Sequence, residues 1–396
     1  MPNTSKFTFV DRPDSLSQAC AILASADVLC VDTEFHRENT FYPQFALMQI
    51  SSKSDCFIID PIAIQDMSPL WELLHREDKV KVFHAPRQDI EIILRESGKI
   101  PKPLFDTQTA ASLLGYGLQV GFGNLVQRLL NTSLAKQESF SDWLARPLRR
   151  EQLTYAADDV IYLMPIYQQL KQELDAAGRL GWLEEEQSSL CDTNTYESAP
   201  EEMFRRVKSA NKLRSQGLAV LRTLTAWRER QAQDKDVPRR RIVSDEVLVE
   251  LARQVHGEHL VFERIRGIRG DVVRKYGRDL QSAWQEGKAC PKEQWPRPRP
   301  QLNHSAGTEL RKEMLTTLVK LRADEKHIAA SILANTSDLS VIASWGKQPD
   351  APLPEVPCLH GWRRDLVGED LIRLLKGEIC LCIDSSSRQP TIEQKT

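Results

Sequence analysis

The sequence predicts a mixed α/β domain followed by all-helical modules. Three observations carry this: short β-type runs crowd the first third of the chain, helical periodicity takes over after them, and a polar stretch and a Pro-rich stretch divide the remaining residues. At 396 residues the chain exceeds one ordinary core, so two or three domains are expected.

The β-type runs are KFTFV (6–10), LCVDTEF (29–35), FALMQIS (45–51), DCFIID (55–60) and KVKVFHA (79–85). Helical patterns lie between and after them: SLSQACAILA, RQDIEIILRES, TQTAASLLG and one long helix over 151–178, with Gly178 and Gly181 as its stops. QSSLCDTNTYESAPEEM (187–203) is polar, contains a proline and reads as a linker. From 204 to 288 the pattern is helical, with Leu218, Leu221, Leu224 and Trp227 at helical spacing. CPKEQWPRPRPQ (290–301) closes that segment, and a third helical segment spans 306–376, interrupted by QPDAPLPEVP (348–357).

Hydrophobic residues make up 41% and charged residues 27%, the balance of a soluble globular protein. There is no apolar run of bilayer-spanning length, and MPNTSKFTFV lacks the charged-then-apolar pattern of a signal peptide, so a cytoplasmic protein is expected. The eight cysteines form no CxxC pair and read as reduced, small hydrophobes rather than zinc ligands.

Net charge is −2, but it is unevenly spread. Residues 1–200 carry 18 Lys and Arg against 28 Asp and Glu, whereas 201–300 carry 23 against 14. An acidic region joined to a basic one suits cations held by the first and a polyanion by the second; drifting surface charge gives the same numbers.

The chemistry is sought first in VDTEF. Strand alternation places Asp32 and Glu34 on one face, with Val31, Thr33 and Phe35 on the other. Two adjacent carboxylates repel unless a cation lies between them, and closely spaced oxygens suit Mg²⁺ or Mn²⁺. Taken alone, such a pair reads as a strand edge facing water. Asp89 falls in the first turn of the helix after KVKVFHA, where an acid also simply complements the helix dipole. Tyr155 and Asp159, in TYAADDVIYL, share a helix face at i, i+4, with Asp158 able to face the same cleft.

The order of these elements, DxE then D then YxxxD, resembles the three motifs of the DEDDy subfamily of DnaQ-like 3′-to-5′ exonucleases. VDTEFHRENTFYPQFALMQIS, FHAPRQDIEIIL and FSDWLARPLRREQLTYAADDVIYL resemble the bacterial ribonuclease D family, and the later helical segments resemble its HRDC modules. Ala85-Pro86 departs from the family pattern, which has small or polar residues between the histidine and QD. The resemblance implies an RNase H-like DEDD exonuclease domain over 1–190, an HRDC domain over 204–290 and a second HRDC-like all-α domain over 302–380.

It further implies a metal-dependent exoribonuclease with two divalent ions, Mg²⁺ or Mn²⁺, that trims 3′ ends of structured RNA precursors, tRNA above all, and releases nucleoside 5′-monophosphates. Asp32 would bridge the ions, Glu34 and Asp159 would complete the site of one, Asp89 would hold the other through water, and Tyr155 would orient the attacking water. A phenol of pKa about 10 is a poor general base at neutral pH. His36 and Gln49 flank motif one as candidate contacts to the terminal nucleotide. Arg239, Arg240 and Arg241 are candidate phosphate contacts in the basic segment, whose other clusters are 205–214 and 264–278. Phe41 reads equally as a nucleotide contact or as core, His84 as a structural histidine, and Asp106 as a helix N-cap. No membrane or obligate protein partner is expected. A DNA exonuclease of the same superfamily and a non-catalytic nucleic-acid clamp are the competing readings.

Overall fold

The computed structural model describes residues 6–134, 138, 141–197, 199–298, 305–348 and 350–395. The first five residues of MPNTSKFTFV, Phe140 at the head of FSDWLARPL and residues 299–301 of the Pro-rich stretch lie outside them. The chain gathers into two compact units, one of Met1–Glu34, Ala46–Cys191 and Leu302–Thr396, the other of Phe35–Phe45 and Asp192–Gln301. The third helical segment, expected as a separate body, therefore clusters with the exonuclease portion.

All five anticipated runs are strands: β1 (Thr8–Val10), β2 (Val28–His36), β3 (Gln44–Ser51), β4 (Cys56–Ile59) and β5 (Val80–Phe83). A sixth, β6 (Leu104–Asp106), has no counterpart among the sequence expectations; three residues beside Pro101 and Pro103 are too few to show alternation. The sheet order is β1-β4-β3-β2-β5-β6, with β1–β4, β2–β5 and β5–β6 parallel and β3–β4 antiparallel. The strand of VDTEF thus lies in the interior of the sheet, and its carboxylates are not an edge facing water.

Helices α1 (Pro13–Leu23), α2 (Ser68–Leu74), α3 (Arg87–Ser97), α4 (Thr107–Leu113) and α5 (Phe122–Leu130) accompany the sheet. α1 opens on a proline with Asp14 in its first turn, and α3 stops at Gly98, whose left-handed backbone (φ 77°) lets its N–H return to the Leu94 carbonyl. Asp106 caps α4 by accepting from the Gln108 N–H at 2.9 Å, the role read from sequence. His84 is satisfied on both ring nitrogens, by the Thr107 hydroxyl (2.9 Å) and the Val120 carbonyl (3.0 Å), as expected of a structural histidine.

The single long helix expected over 151–178 is instead two, α6 (Arg150–Ile161) and α7 (Leu163–Ala176). Pro165 has no N–H to return to Ile161, and its ring crowds that carbonyl, so the helix breaks at Tyr162. α8 (Leu180–Gln187) comes next.

The second unit is built on α9 (Ser215–Asp234), α10 (Arg239–Ile242), α11 (Asp245–Arg253) and α12 (Gly270–Ala289). Leu218, Leu221 and Leu224 are buried as their spacing required, around Trp284 and Leu280 of α12. Gly287 lets α9 and α12 touch: a Cβ there would lie 2.5 Å from the Val220 Cα.

In the third segment, α13 (Ala306–Lys326), α14 (Ala330–Leu333) and α15 (Thr336–Trp345) are succeeded by a helical run over 361–376 and then a hairpin, β7 (Ile379–Ile383) and β8 (Pro390–Gln394). The hairpin lies beyond the segment expected as helical, 306–376. It shares one core with the exonuclease helices: Leu315, Leu318 and Ile342 belong with Val160, Ile166 and Leu170. Trp182 stacks on Trp362 at 4.6 Å, and Glu186 accepts from both the Trp362 indole (3.0 Å) and Arg363 (2.7 Å). Gly115 meets the His327 carbonyl so closely that a Cβ would sit 2.4 Å from its oxygen.

Candidate active site

Asp32 and Glu34 project from β2, and Asp159 from α6. One carboxylate oxygen from each lies within 4.8 Å of the others. Asp89 enters from the first turn of α3 and is buried, and Thr33 donates to its Oδ1 through both backbone N–H (3.1 Å) and hydroxyl (2.5 Å). Tyr155, one turn before Asp159, donates its hydroxyl to the Asp159 carboxylate. The structure therefore brings all five residues of the three motifs to one place, from a strand and two helices.

The electrostatics record uncompensated negative charge. Burial first, then the charges of Asp89, Asp159 and Glu34, hold the Asp32 carboxyl well above the usual range. Burial with Asp159 and Asp89 nearby pushes Glu34 up to about 9. Asp159 rises to about 7 through burial, against the downward pull of the Tyr155 hydroxyl; Asp89 rises to about 6 through burial, against the Thr33 hydroxyl. Four carboxyls with raised affinity for protons are equally primed for a divalent cation, and an all-oxygen set suits a hard one. The residues present fit a divalent metal centre.

Other residues frame this cluster. Arg146 of DWLARPL forms a bidentate pair with the buried Asp60 (2.7 and 2.9 Å) and also donates to the carbonyls of Ala46, Trp143 and Ala145, which fixes the approach to α6. Trp143 lies buried against Tyr155, ring centroids 6.1 Å apart. Ser51 of β3 donates to the Val160 carbonyl at 2.9 Å and so ties the sheet to α6 beside Asp159. Sequence reasoning does not single out any of these; the DWLARPL signature is the available sign for Arg146 and Trp143.

The flanking candidates fare differently. His36 is the last residue of β2 and is half-buried. Gln49, expected at the nucleotide, has no solvent exposure, so the structure places it in the interior and not on an RNA-facing surface. In the second unit Phe41 is buried in the helical core, its N–H and that of Tyr42 each donating to Asp236 at 3.0 Å. Arg239 is committed to the fully buried Glu229 by two 2.5 Å bonds and lies 4.6 Å over the Phe41 ring. Arg241 bonds Asn39, and Arg240 is exposed. Of the three arginines, Arg240 and Arg241 are both exposed, and Arg239 is the one committed to a buried partner.

The cysteines are free, and among the described residues no helix is long and apolar enough to cross a membrane.

Residues 7–175 match the family model of a 3′-5′ exonuclease, and residues 217–283 that of the HRDC domain. The chain is 40% identical over 383 residues to ribonuclease D of Acidiphilium cryptum, covering 96% of each, and 37% identical over 385 residues to that of Zymomonas mobilis, covering 96% of this chain and 97% of the other. The crystal structure of Escherichia coli RNase D, described as an exoribonuclease involved in structured RNA processing, superposes with a TM-score of 0.81 at 31% identity, covering 94% of this chain and 99% of that one.

Proposed function

The chain belongs to the ribonuclease D family, a lineage of 3′-to-5′ exoribonucleases, and from that membership we propose that it trims the 3′ ends of structured RNA precursors, tRNA 3′ ends foremost, with two Mg²⁺ or Mn²⁺ ions, releasing nucleoside 5′-monophosphates in the cytoplasm. The observation that carries this reading is the convergence of Asp32, Glu34 and Asp159, their ligand oxygens mutually within 4.8 Å, beside an Asp89 held by Thr33. The described role of the E. coli relative in structured RNA processing supports the substrate class. We keep 1–190, 204–290 and 302–380 as proposed sequence modules.

In this reading Asp32, Glu34 and Asp159 would hold the ions and Asp89 would hold the second of them through water. Bound there, divalent cations supply Lewis acidity for water activation and for the charge developing on the phosphate and leaving oxygen. Tyr155 orients the attacking water from its hydroxyl, which α6 holds one turn from Asp159. Trp143 keeps the Tyr155 ring in place, and the Arg146–Asp60 pair keeps the start of α6 against the sheet. Arg240, in the basic unit, offers phosphate contact.

The test is a gel of 5′-labelled single-stranded RNA and matched DNA incubated with Mg²⁺ or EDTA, beside Asp32→Asn and Tyr155→Phe. A Mg²⁺-dependent ladder shortening RNA from its 3′ end, abolished in the first variant and strongly reduced in the second, is expected. Equal degradation of DNA would remove the preference for RNA, and RNA left intact under both Mg²⁺ and Mn²⁺ would mark a clamp.

A further inference from the structure

Gln49 lies in β3 with no solvent exposure, and neither its Nε2 nor its Oε1 has a hydrogen-bond partner. Buried carboxamides are ordinarily satisfied, because a donor and an acceptor stripped of water with nothing in return destabilise the fold. An unpartnered one needs a reason. Its direction supplies one.

Ser51, two residues further along β3, points its hydroxyl at the Val160 carbonyl of α6, and the Cys30 thiol of β2 is in hydrogen-bond contact with that same Ser51. Strand alternation puts Gln49 on the face of Ser51 and Asp32 on the face of Cys30. β2 and β3 are sheet neighbours joined through residues 37–43, far too few for a parallel crossover, so they run antiparallel. Two steps from Cys30 toward that connection is Asp32; two steps from Ser51 toward it is Gln49. The empty carboxamide therefore faces the carboxylate cluster beside Asp32, beneath α6. The two oxygens of an ionised carboxylate offer about four lone-pair sites, so Asp32 can accept from a donor on β3.

We propose that Gln49 is a positioning residue of the metal centre: in the loaded protein its Nε2 donates to the Asp32 carboxylate and its Oε1 accepts from water held in the site. This rests on the reading that Asp32, Glu34 and Asp159 hold divalent ions. Ligating carboxylates are themselves oriented by hydrogen bonds from outside, and losing such a partner weakens metal binding by roughly 10- to 100-fold. An amide kept for that purpose has no use in the metal-free protein, and this separates it from an amide that serves the fold.

The experiment uses the full chain and two shape-preserving variants, Gln49→Leu and Gln49→Met, the second guarding against a packing failure of the first. Two quantities are read: the melting temperature in EDTA and the Mn²⁺ dissociation constant from the free-ion paramagnetic signal. Removing an unsatisfied buried amide should raise the EDTA melting temperature by about 2 °C, while Mn²⁺ binding weakens about tenfold or more. Both must occur. Unchanged Mn²⁺ affinity, or an EDTA melting temperature that falls in both variants, overturns the proposal. Failure of the wild type to bind Mn²⁺, with Asp32→Asn indistinguishable from it, overturns the metal-centre reading and this inference with it.

Discussion

Thr33 gives both its backbone N–H, at 3.1 Å, and its hydroxyl, at 2.5 Å, to a single oxygen of Asp89. These bonds fix which way the motif-two carboxylate faces and pull its pKa back to about 6 against burial. Thr33→Val keeps the β-branched shape in the strand and removes only the hydroxyl. We expect the Asp89 pKa to rise, so that ionisation is completed at higher pH and the acid limb of the activity profile moves upward. Metal affinity should fall about tenfold, and the lost buried bond should cost about 1–3 kcal/mol. A pH–rate profile and a urea melt in EDTA check the two effects.

The remaining carboxyls make the metal-free protein sensitive to base. Asp89, Asp159 and Glu34 have folded-state pKa values of about 6, 7 and 9, against about 4 for these side chains in an unfolded chain. Each folded carboxyl holds its proton more tightly than the unfolded one, so its contribution to stability is fully present below about pH 4 and is lost as pH rises through the folded value. In EDTA the melting temperature should therefore fall from about pH 4 to about pH 9. A divalent ion takes the place of the protons, and the melting-temperature gain on adding Mg²⁺ or Mn²⁺ should grow over the same range. Asp32→Asn, which removes one charge from the cluster, should flatten the EDTA curve in scanning fluorimetry.

Much of this site is legible in local periodicity. Alternation sets Asp32 beside Glu34 on β2, helical spacing sets Tyr155 beside Asp159, and the structure has both. Contacts between residues distant in sequence stay hidden. Thr33 reads only as the residue facing away from the acids, because its partner is 56 positions on. Gln49 reads as a nucleotide contact from its proximity to motif one, although its burial depends on strands and helices packed around it. Lys81, a charged residue inside the run KVKVFHA, is fully buried, its ammonium donating to the carbonyls of Arg76 and Lys79 at 2.7 Å and to that of Lys102. The break at Tyr162 is the exception: Pro165 announces it, and the continuous apolar periodicity on either side obscures it.

Arg146 is expected to be the most sensitive position of DWLARPL. Its guanidinium satisfies Asp60, which is 3% exposed, and joins it to backbone carbonyls of β3 and of the approach to α6. Arg146→Ala strands a buried charge, a loss of about 3–5 kcal/mol. Arg146→Lys keeps the charge but not the fork and should recover only part of it. Urea denaturation with Mg²⁺ present measures the loss.

Arg239 and Arg240 are neighbours in one basic run, and the fold pairs the first with a buried acid and leaves the second exposed. Arg239 neutralises Glu229, which has no solvent exposure, and covers the Phe41 ring. Removing it leaves an uncompensated charge inside the helical core, so Arg239→Ala should destabilise the second unit by about 3–5 kcal/mol and alter RNA binding only as far as that unit unfolds. Arg240 is exposed. If it meets a phosphate, Arg240→Ala should leave the urea midpoint unchanged, weaken RNA binding regardless of sequence, and reduce the slope of log affinity against log salt by about 0.7, the value for one contact to a single strand. Paired denaturation curves and salt-dependent binding isotherms separate the two cases: loss of stability without a change of slope at Arg239, and a change of slope without loss of stability at Arg240. The reverse pattern would return Arg239 to the RNA surface and leave Glu229 to be neutralised by another group.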